Sequence, residues 1–311
     1  MNSSGSDRVI WRNGEFVPWA DATVHVLAQS LQRGTLAFDF MSVHETANGP
    51  AIFRLEAHID RLLRSCRLEE LPIGYSAEAL MAACAETVRR NPGCKSVKIS
   101  ALIASIEVEL IPQDPAVAVF IAAYDSARDI MAKHQAPYPI RKTLALKVER
   151  EISNRRHDIL PPQAKVATNY TSPTIAKRKA RAEGFDDVLL LTERGTVAEA
   201  PTSNIFVVRN GGLSTPPDND VLLGITRASI IEIAAFLELP CEERELELTQ
   251  LYAADEAFLT NTSTGVWPIE RVDDVVFGDG APGPVTLRLR ETLTKIWSGE
   301  EPAFRHWLHY V

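Results

Sequence analysis

Apolar residues recur along the chain in two rhythms. Residues 9–17 place Asn13-Gly14 between apolar residues, the strongest short-range signal for a two-residue hairpin turn. Residues 35–45 read as a strand, Asn48-Gly49-Pro50 as a turn and residues 51–53 as the returning strand. Leu55, Ile59, Leu62, Leu63 and Cys66 then fall at helical spacing. Ser76 predicts the cap of a second helix over 77–90, which Asn91-Pro92-Gly93 ends. Two β-rich runs follow, at 96–110 and 116–124.

The rhythm breaks at 126–142, a polar stretch with Pro137 and Pro139 that reads as a linker. Beyond it, 143–148 predicts a strand. Ser172-Pro173 reads as the cap and first residue of a basic helix that Gly184 closes. Residues 187–191 form an apolar run, 205–213 a hairpin around Asn210-Gly211-Gly212, and 224–239 an amphipathic helix. Phe258-Leu259-Thr260 precedes the small polar turn at 261–265. Short strands and a few helices in two blocks predict an α+β fold of two domains, 1–125 and 143–311, with residues 1–8 a flexible tail. The length of 311 residues suits two domains.

Composition narrows the function. A net charge of -8 and no dense Lys/Arg stripe argue against a nucleic-acid binder. No apolar run approaches the roughly 20 residues that span a membrane, and residues 1–7 lack the apolar core of a secretion signal. Cys66, Cys84, Cys94 and Cys241 are widely spaced, which suggests reduced thiols and a cytoplasmic protein. The seven histidines are scattered, so no metal site is expected. No G-x-S-x-G elbow, Walker loop or G-x-G-x-x-G occurs.

Three positions carry candidate chemistry. Lys165, one of nine lysines, lies among small and apolar neighbours at 161–170. Partial burial favours a neutral amine, as a Schiff-base lysine requires; a lysine snorkelling from a strand end has the same surroundings. Glu199 is a single carboxylate in an uncharged setting, which favours pairing with a specific cation; a solvated loop glutamate is the alternative. Leu223-Gly224-Ile225-Thr226-Arg227 opens a helix, and helix starts cradle phosphates. It is also how many helices begin.

Taken together these segments resemble the class IV aminotransferases, the pyridoxal-phosphate enzymes of fold type IV, from about Trp11 to Asp274. The stretches at 16–26, 52–62, 165–170, 197–206, 223–227 and 252–258 are most similar to branched-chain amino acid aminotransferases. The resemblance implies pyridoxal 5'-phosphate as cofactor. Lys165 matches the lysine that joins the cofactor and then moves the proton. Tyr170 matches the tyrosine on the ring oxygen, and Glu199 the glutamate at the pyridine nitrogen. Arg54, Ile225 and Thr226 match the phosphate ligands, and Thr262 the turn that closes over phosphate and substrate, with Ser263 beside it. A homodimer with sites at the domain interface is also implied. The implied reaction passes an amino group from an amino donor to a 2-oxo acid acceptor in two half-reactions.

On the substrate side the chain departs from the branched-chain enzymes. Arg33 stands where they usually carry tyrosine, and Lys98-Ile99-Ser100 where they carry a tyrosine-x-arginine pair. They usually have glycine near Phe40 and arginine near Ser42. Arg33, Phe38, Lys98 and Ser263 are therefore the expected substrate residues, with the two cations able to hold a carboxylate. D-amino acid and (R)-amine aminotransferases are the alternatives, followed by an aminodeoxychorismate lyase or a non-catalytic cofactor-binding protein.

Overall fold

A computed structural model describes residues 7–133 and 141–311. Most of the expected tail, and residues 134–140 of the expected linker, lie outside the described residues.

The chain forms two compact units. One comprises Met1–Pro139, Ala164–Thr168 and Trp297–Val311; the other comprises Ile140–Gln163 and Asn169–Ile296. This differs from a single division at 126–142 that leaves Lys165 in the C-terminal domain. Lys165 belongs to the first unit because Val166 bridges to Ala37 and the Phe38 N–H donates to the Lys165 carbonyl at 3.1 Å. Part of the expected linker is structured too. Ser126–Ile130 is a π-helical turn capped by Asp125, and Arg8 pairs with the buried Asp129.

In the first unit the Asn13-Gly14 turn joins β1 (Val9–Arg12) to β2 (Glu15–Pro18). Both turn residues have positive φ, 51° and 98°, as a type I′ hairpin requires. A short helix α1 (Gln29–Arg33) leads to β3 (Leu36–Thr46) and β4 (Gly49–Phe53). Next come α2 (Leu55–Leu68), α3 (Ala77–Arg90), β5 (Ser96–Ile103) and β6 (Val117–Tyr124). The second β-rich run ends as predicted, but β5 stops at Ile103, short of Leu110. Residues 106–110 keep a strand-like alternation, but Ile106 makes an isolated bridge to Ala28 and the apolar side is turned to the surface, Val108 being 87% exposed. The sheet is antiparallel, in the order Leu308–Tyr310, β4, β3, β5, β6, β1, β2.

Alternation divides this sheet into two faces. Ala37, Asp39, Met41, Val97, Ile99 and Ile121 are buried on the side that packs against α2 and α3. Phe38, Phe40, Lys98, Ser100 and Phe120 lie on the other, which is more open. Register fixes their neighbours: Phe38 is opposite Ser100, and Phe40 opposite Lys98.

The second unit is built on β7 (Leu144–Val148), β8 (Asp187–Leu189), β9 (Glu199–Ala200), β10 (Ser203–Arg209), β11 (Gly212–Thr215), β12 (Cys241–Glu243), β13 (Glu256–Asn261) and β14 (Gly265–Val272). The strand order is β12, β11, β10, β13, β14, β7, β8, with β9 on β10. Leu146, Ile205, Val207, Leu259 and Ile269 fill its core. Helix α4 (Thr171–Ala182) lays Ala176 and Ala180 on Val188 and Leu190. It starts at Thr171, not after Ser172, because a 3-10 turn over Ala167–Tyr170 runs directly into it. Pro173 therefore falls within the first turn, where no backbone N–H has an intrahelical acceptor. Helix α5 (Ile225–Phe236) follows the predicted Gly224.

Candidate active site

In the first unit Lys165 is anchored through its backbone. Its N–H donates to Ser65 Oγ at 3.0 Å, and the Ser65 hydroxyl donates to the Arg61 carbonyl at 2.9 Å. Lys165 is half-buried, and its Nζ stands 5.0 Å from the centroid of the Phe38 ring. Lys98 stands 4.9 Å from the same ring. One aromatic residue thus meets two lysine nitrogens, at a distance where its π face attracts positive charge.

Beneath Phe38 the sheet turns polar. Asp39, wholly buried, receives both Nε and Nη2 of Arg61 at 2.8 Å, His58 Nδ1 at 2.7 Å and the Phe40 N–H at 2.7 Å. Burial alone would raise its pKa; Arg61 and His58 outweigh that and hold it well below the usual carboxylate range. His58 is pushed down, chiefly by its burial. Its position on α2, one turn before Arg61, lets both side chains reach the same carboxylate.

Arg54 joins β4 to α2 with φ 52° and ψ 39°, the left-handed region. A non-glycine residue persists there only when its surroundings dictate it, and such strain gathers at functional sites. The Arg54 N–H donates to the Trp307 carbonyl at 2.7 Å, and its guanidinium carbon lies 4.3 Å from the Trp307 ring centroid.

In the second unit Glu199 is 2% exposed. Its carboxylate pairs with Arg155 and accepts from Asn204 Nδ2 at 3.2 Å, Asn154 Nδ2 at 3.4 Å and the Leu222 N–H at 3.3 Å. Arg155 also donates from Nε to the Asn169 carbonyl at 3.2 Å and lies 5.1 Å from the Tyr170 ring centroid. Glu199 and Tyr170 are thereby brought to one arginine. Arg155 and Asn204 were not singled out from sequence. Asn204 sits inside a matching stretch, whereas Arg155 lies in a polar loop whose only signal is the Arg155-Arg156 pair.

Thr226 is buried in the first turn of α5, which no side chain caps. That turn presents backbone N–H groups and the positive end of the helix dipole. Thr262 is half-buried and Ser263 exposed in the β13–β14 turn, which Asn261 braces by accepting the Thr264 N–H at 2.8 Å. Arg33 ends α1 and donates to the Val108 carbonyl at 3.3 Å, which ties it to the 104–116 loop. Among the described residues no cluster of three or more His, Cys, Asp or Glu could hold a metal ion, and no helix is long and apolar enough to cross a membrane.

These groups suit pyridoxal phosphate. The first unit offers an amine on an aromatic face and a strained arginine. The second offers a buried, multiply bonded carboxylate and an uncapped helix start. An amine, a carboxylate for a ring nitrogen and donors for a phosphate are what that cofactor asks of a protein.

The sequence matches the amino-transferase class IV family over residues 36–272. It is 32% identical over 306 residues to the branched-chain-amino-acid aminotransferase of Escherichia coli strain K12, covering 97% of each chain. With the Pseudomonas aeruginosa PAO1 protein of the same name it shares 33% over 310 residues, 99% of this chain and 98% of that one. The solved branched-chain amino acid aminotransferase from Thermobaculum terrenum, in its PLP-bound holo form, superposes with a TM-score of 0.86 at 30% identity, covering 97% of each chain. The chain belongs to the class IV aminotransferases, with their fold type IV architecture, and is a pyridoxal-phosphate-dependent transaminase.

Proposed function

We propose that this enzyme passes the amino group of a branched-chain-like amino acid to a 2-oxo acid by a ping-pong sequence. Lys165 is the proton-moving residue. Arg54, Tyr170, Glu199, Ile225, Thr226 and Thr262 hold the cofactor, and Arg33, Phe38, Lys98 and Ser263 face the substrate. The observation that carries the reading is Glu199, a carboxylate removed from water and fixed by Arg155, Asn154, Asn204 and the Leu222 N–H. Bound pyridoxal phosphate supplies an electron sink for the pair left when the substrate's Cα–H bond breaks. The chain supplies the rest. The Lys165 amine takes the proton and returns it. Glu199 keeps a proton on the ring nitrogen. Arg54 and the start of α5 bind the phosphate dianion.

The working form we propose is a cytoplasmic homodimer. Val26, Leu27, Leu31, Val108, Leu110 and Ile111 are exposed apolar residues on two neighbouring segments, joined where the Gln29 N–H donates to the Ser105 carbonyl at 2.9 Å. An apolar surface of that kind suits a second copy of the chain. Cys66, Cys84, Cys94 and Cys241 are free thiols, as a reducing compartment allows.

The test is Lys165→Ala, which should bind pyridoxal phosphate yet lose transamination. In the wild type, borohydride should fix the cofactor to Lys165; a label on another of the nine lysines overturns the reading. A panel of L-amino acids, D-amino acids and (R)- and (S)-amines against pyruvate and 2-oxoglutarate fixes the donor. Preference for D-amino acids or (R)-amines would replace the branched-chain assignment.

A further inference from the structure

We infer that Trp307 is a positioning residue for the cofactor's phosphate: its indole face holds the Arg54 guanidinium in the pose that grips the phosphate, which makes the C-terminal segment part of the binding apparatus. The inference rests on the reading of Arg54 as a phosphate ligand.

Trp307 reaches Arg54 by register. The strand Leu308–Tyr310 pairs antiparallel with β4, with Leu308 opposite Phe53. The preceding residue is thereby set against Arg54, and the Arg54 N–H closes on the Trp307 carbonyl at 2.7 Å. On the other side of Arg54, its carbonyl accepts the His58 N–H at 3.1 Å and so begins α2. These two bonds pin the left-handed backbone from both directions. The side chain is then laid on the indole, its guanidinium carbon 4.3 Å from the ring centroid, well within cation–π range.

The indole is itself locked. It is 3% exposed, lies 4.3 Å from the Phe304 ring centroid and meets Phe53 edge-on at 5.8 Å. A rigid ring beneath a flexible side chain lowers the entropy that side chain would lose on gripping a ligand. Stacking engages the face of a guanidinium and not its edge, and the edge carries the N–H donors that match phosphate oxygens. The indole N–H is buried and has no acceptor among the described residues.

The experiment compares the affinity of the apoprotein for pyridoxal phosphate and for pyridoxal, which lacks the phosphate, by absorbance titration. Trp307→Leu should lower the preference for the phosphorylated form by about tenfold, with pyridoxal affinity nearly unchanged. Trp307→Phe keeps a weaker π face and should lower it by about two- to threefold. Arg54→Ala separates the two claims. If it leaves the preference intact, Arg54 is not a phosphate ligand and the underlying reading fails. If it lowers the preference while both Trp307 variants keep the wild-type ratio, the inference about Trp307 is overturned and the reading of Arg54 stands. Equal losses for both ligands would mean a purely structural role and also overturn it. Should Trp307→Leu not fold, Trp307→Phe decides alone, an unchanged ratio being the overturning result.

Discussion

The side-chain amide of Asn204 donates to Glu199 Oε2 at 3.2 Å and to the Leu222 carbonyl at 2.9 Å. A single buried residue therefore ties the carboxylate of β9 to the loop that delivers α5. The other end of that amide fills the space beside Gly224. A Cβ added at Gly224 would lie 1.9 Å from Asn204 Oδ1 and 3.2 Å from the Arg227 Cβ.

Gly224→Ala should consequently act on the site through Asn204. The methyl group must push the amide aside and break its bonds to Glu199 and Leu222, because Asn204 is itself buried. A loss of about 2 kcal/mol in stability is expected for overpacking of this kind. Pyridoxal-phosphate affinity should fall with it. Denaturant unfolding and a cofactor titration check both effects, and wild-type values in each would mean that Asn204 can turn without cost.

Glu199→Gln removes one charge from two relationships. Under the proposed role of Glu199, the ring nitrogen loses the carboxylate that would keep it protonated, and the donor half-reaction should slow by on the order of 100-fold, or about 3 kcal/mol. Structurally, Arg155 loses its ion-pair partner while its side chain remains 3% exposed. Leaving a buried charge uncompensated costs about 3 kcal/mol. Single-turnover kinetics followed by cofactor absorbance measure the first effect and denaturant unfolding the second. A wild-type proton-transfer rate would remove Glu199 from the mechanism.

Elements held by local contacts were legible in the sequence. The Asn13-Gly14 hairpin, α2 and the Ser76-capped α3 depend on turn chemistry, periodicity and a capping hydroxyl, all within a few residues. The place of Lys165 was not legible, since it is set by the pairing of Val166 with Ala37, and no local rhythm reports a partner so distant. Arg155 went unseen for a related reason: its role exists only when Glu199 arrives. Asp39 gave a signal of a different kind. It is a charged residue at a core-facing position of β3, which requires buried partners, and Arg61 and His58 are those partners. The motif matches supplied the residues proposed for the cofactor because they register whole stretches of chain, but they said nothing of Trp307, beyond the last matching stretch.

His44 should make stability depend on pH. Its ring stacks on Trp297 with centroids 4.4 Å apart, its Nε2 is 2.7 Å from Ser42 Oγ, and burial lowers its pKa to about 4. The unfolded chain takes up a proton near pH 6.5, where the folded chain does not. The stability due to the neutral ring is therefore complete above pH 6.5 and is lost as pH falls towards 4, by up to about 3 kcal/mol. His44→Phe keeps the stack and removes the titration. Its thermal midpoint should fall less than that of the wild type between pH 6.5 and 4. Parallel curves would show that His44 is protonated at no cost.

Lys98 offers the sharpest test of substrate choice. Register sets it opposite Phe40, on the same open sheet face as Phe38. Its Nζ and that of Lys165 share the Phe38 ring at 4.9 and 5.0 Å. A substrate engaged at Lys165 therefore has the Lys98 side chain within reach, and a carboxylate beyond its reacting carbon can meet it. Lys98→Met keeps the length and the apolar stem while removing the charge. A charge-assisted hydrogen bond contributes about 1.5–3 kcal/mol, so kcat/KM for 2-oxoglutarate should fall by about tenfold or more. The value for a branched 2-oxo acid with no second carboxylate should fall little. Arg33→Met, at a residue whose guanidinium meets the Val108 carbonyl, subjects the other cation to the same comparison. Equal losses for both acceptors in the Lys98 variant would take Lys98 out of the pocket.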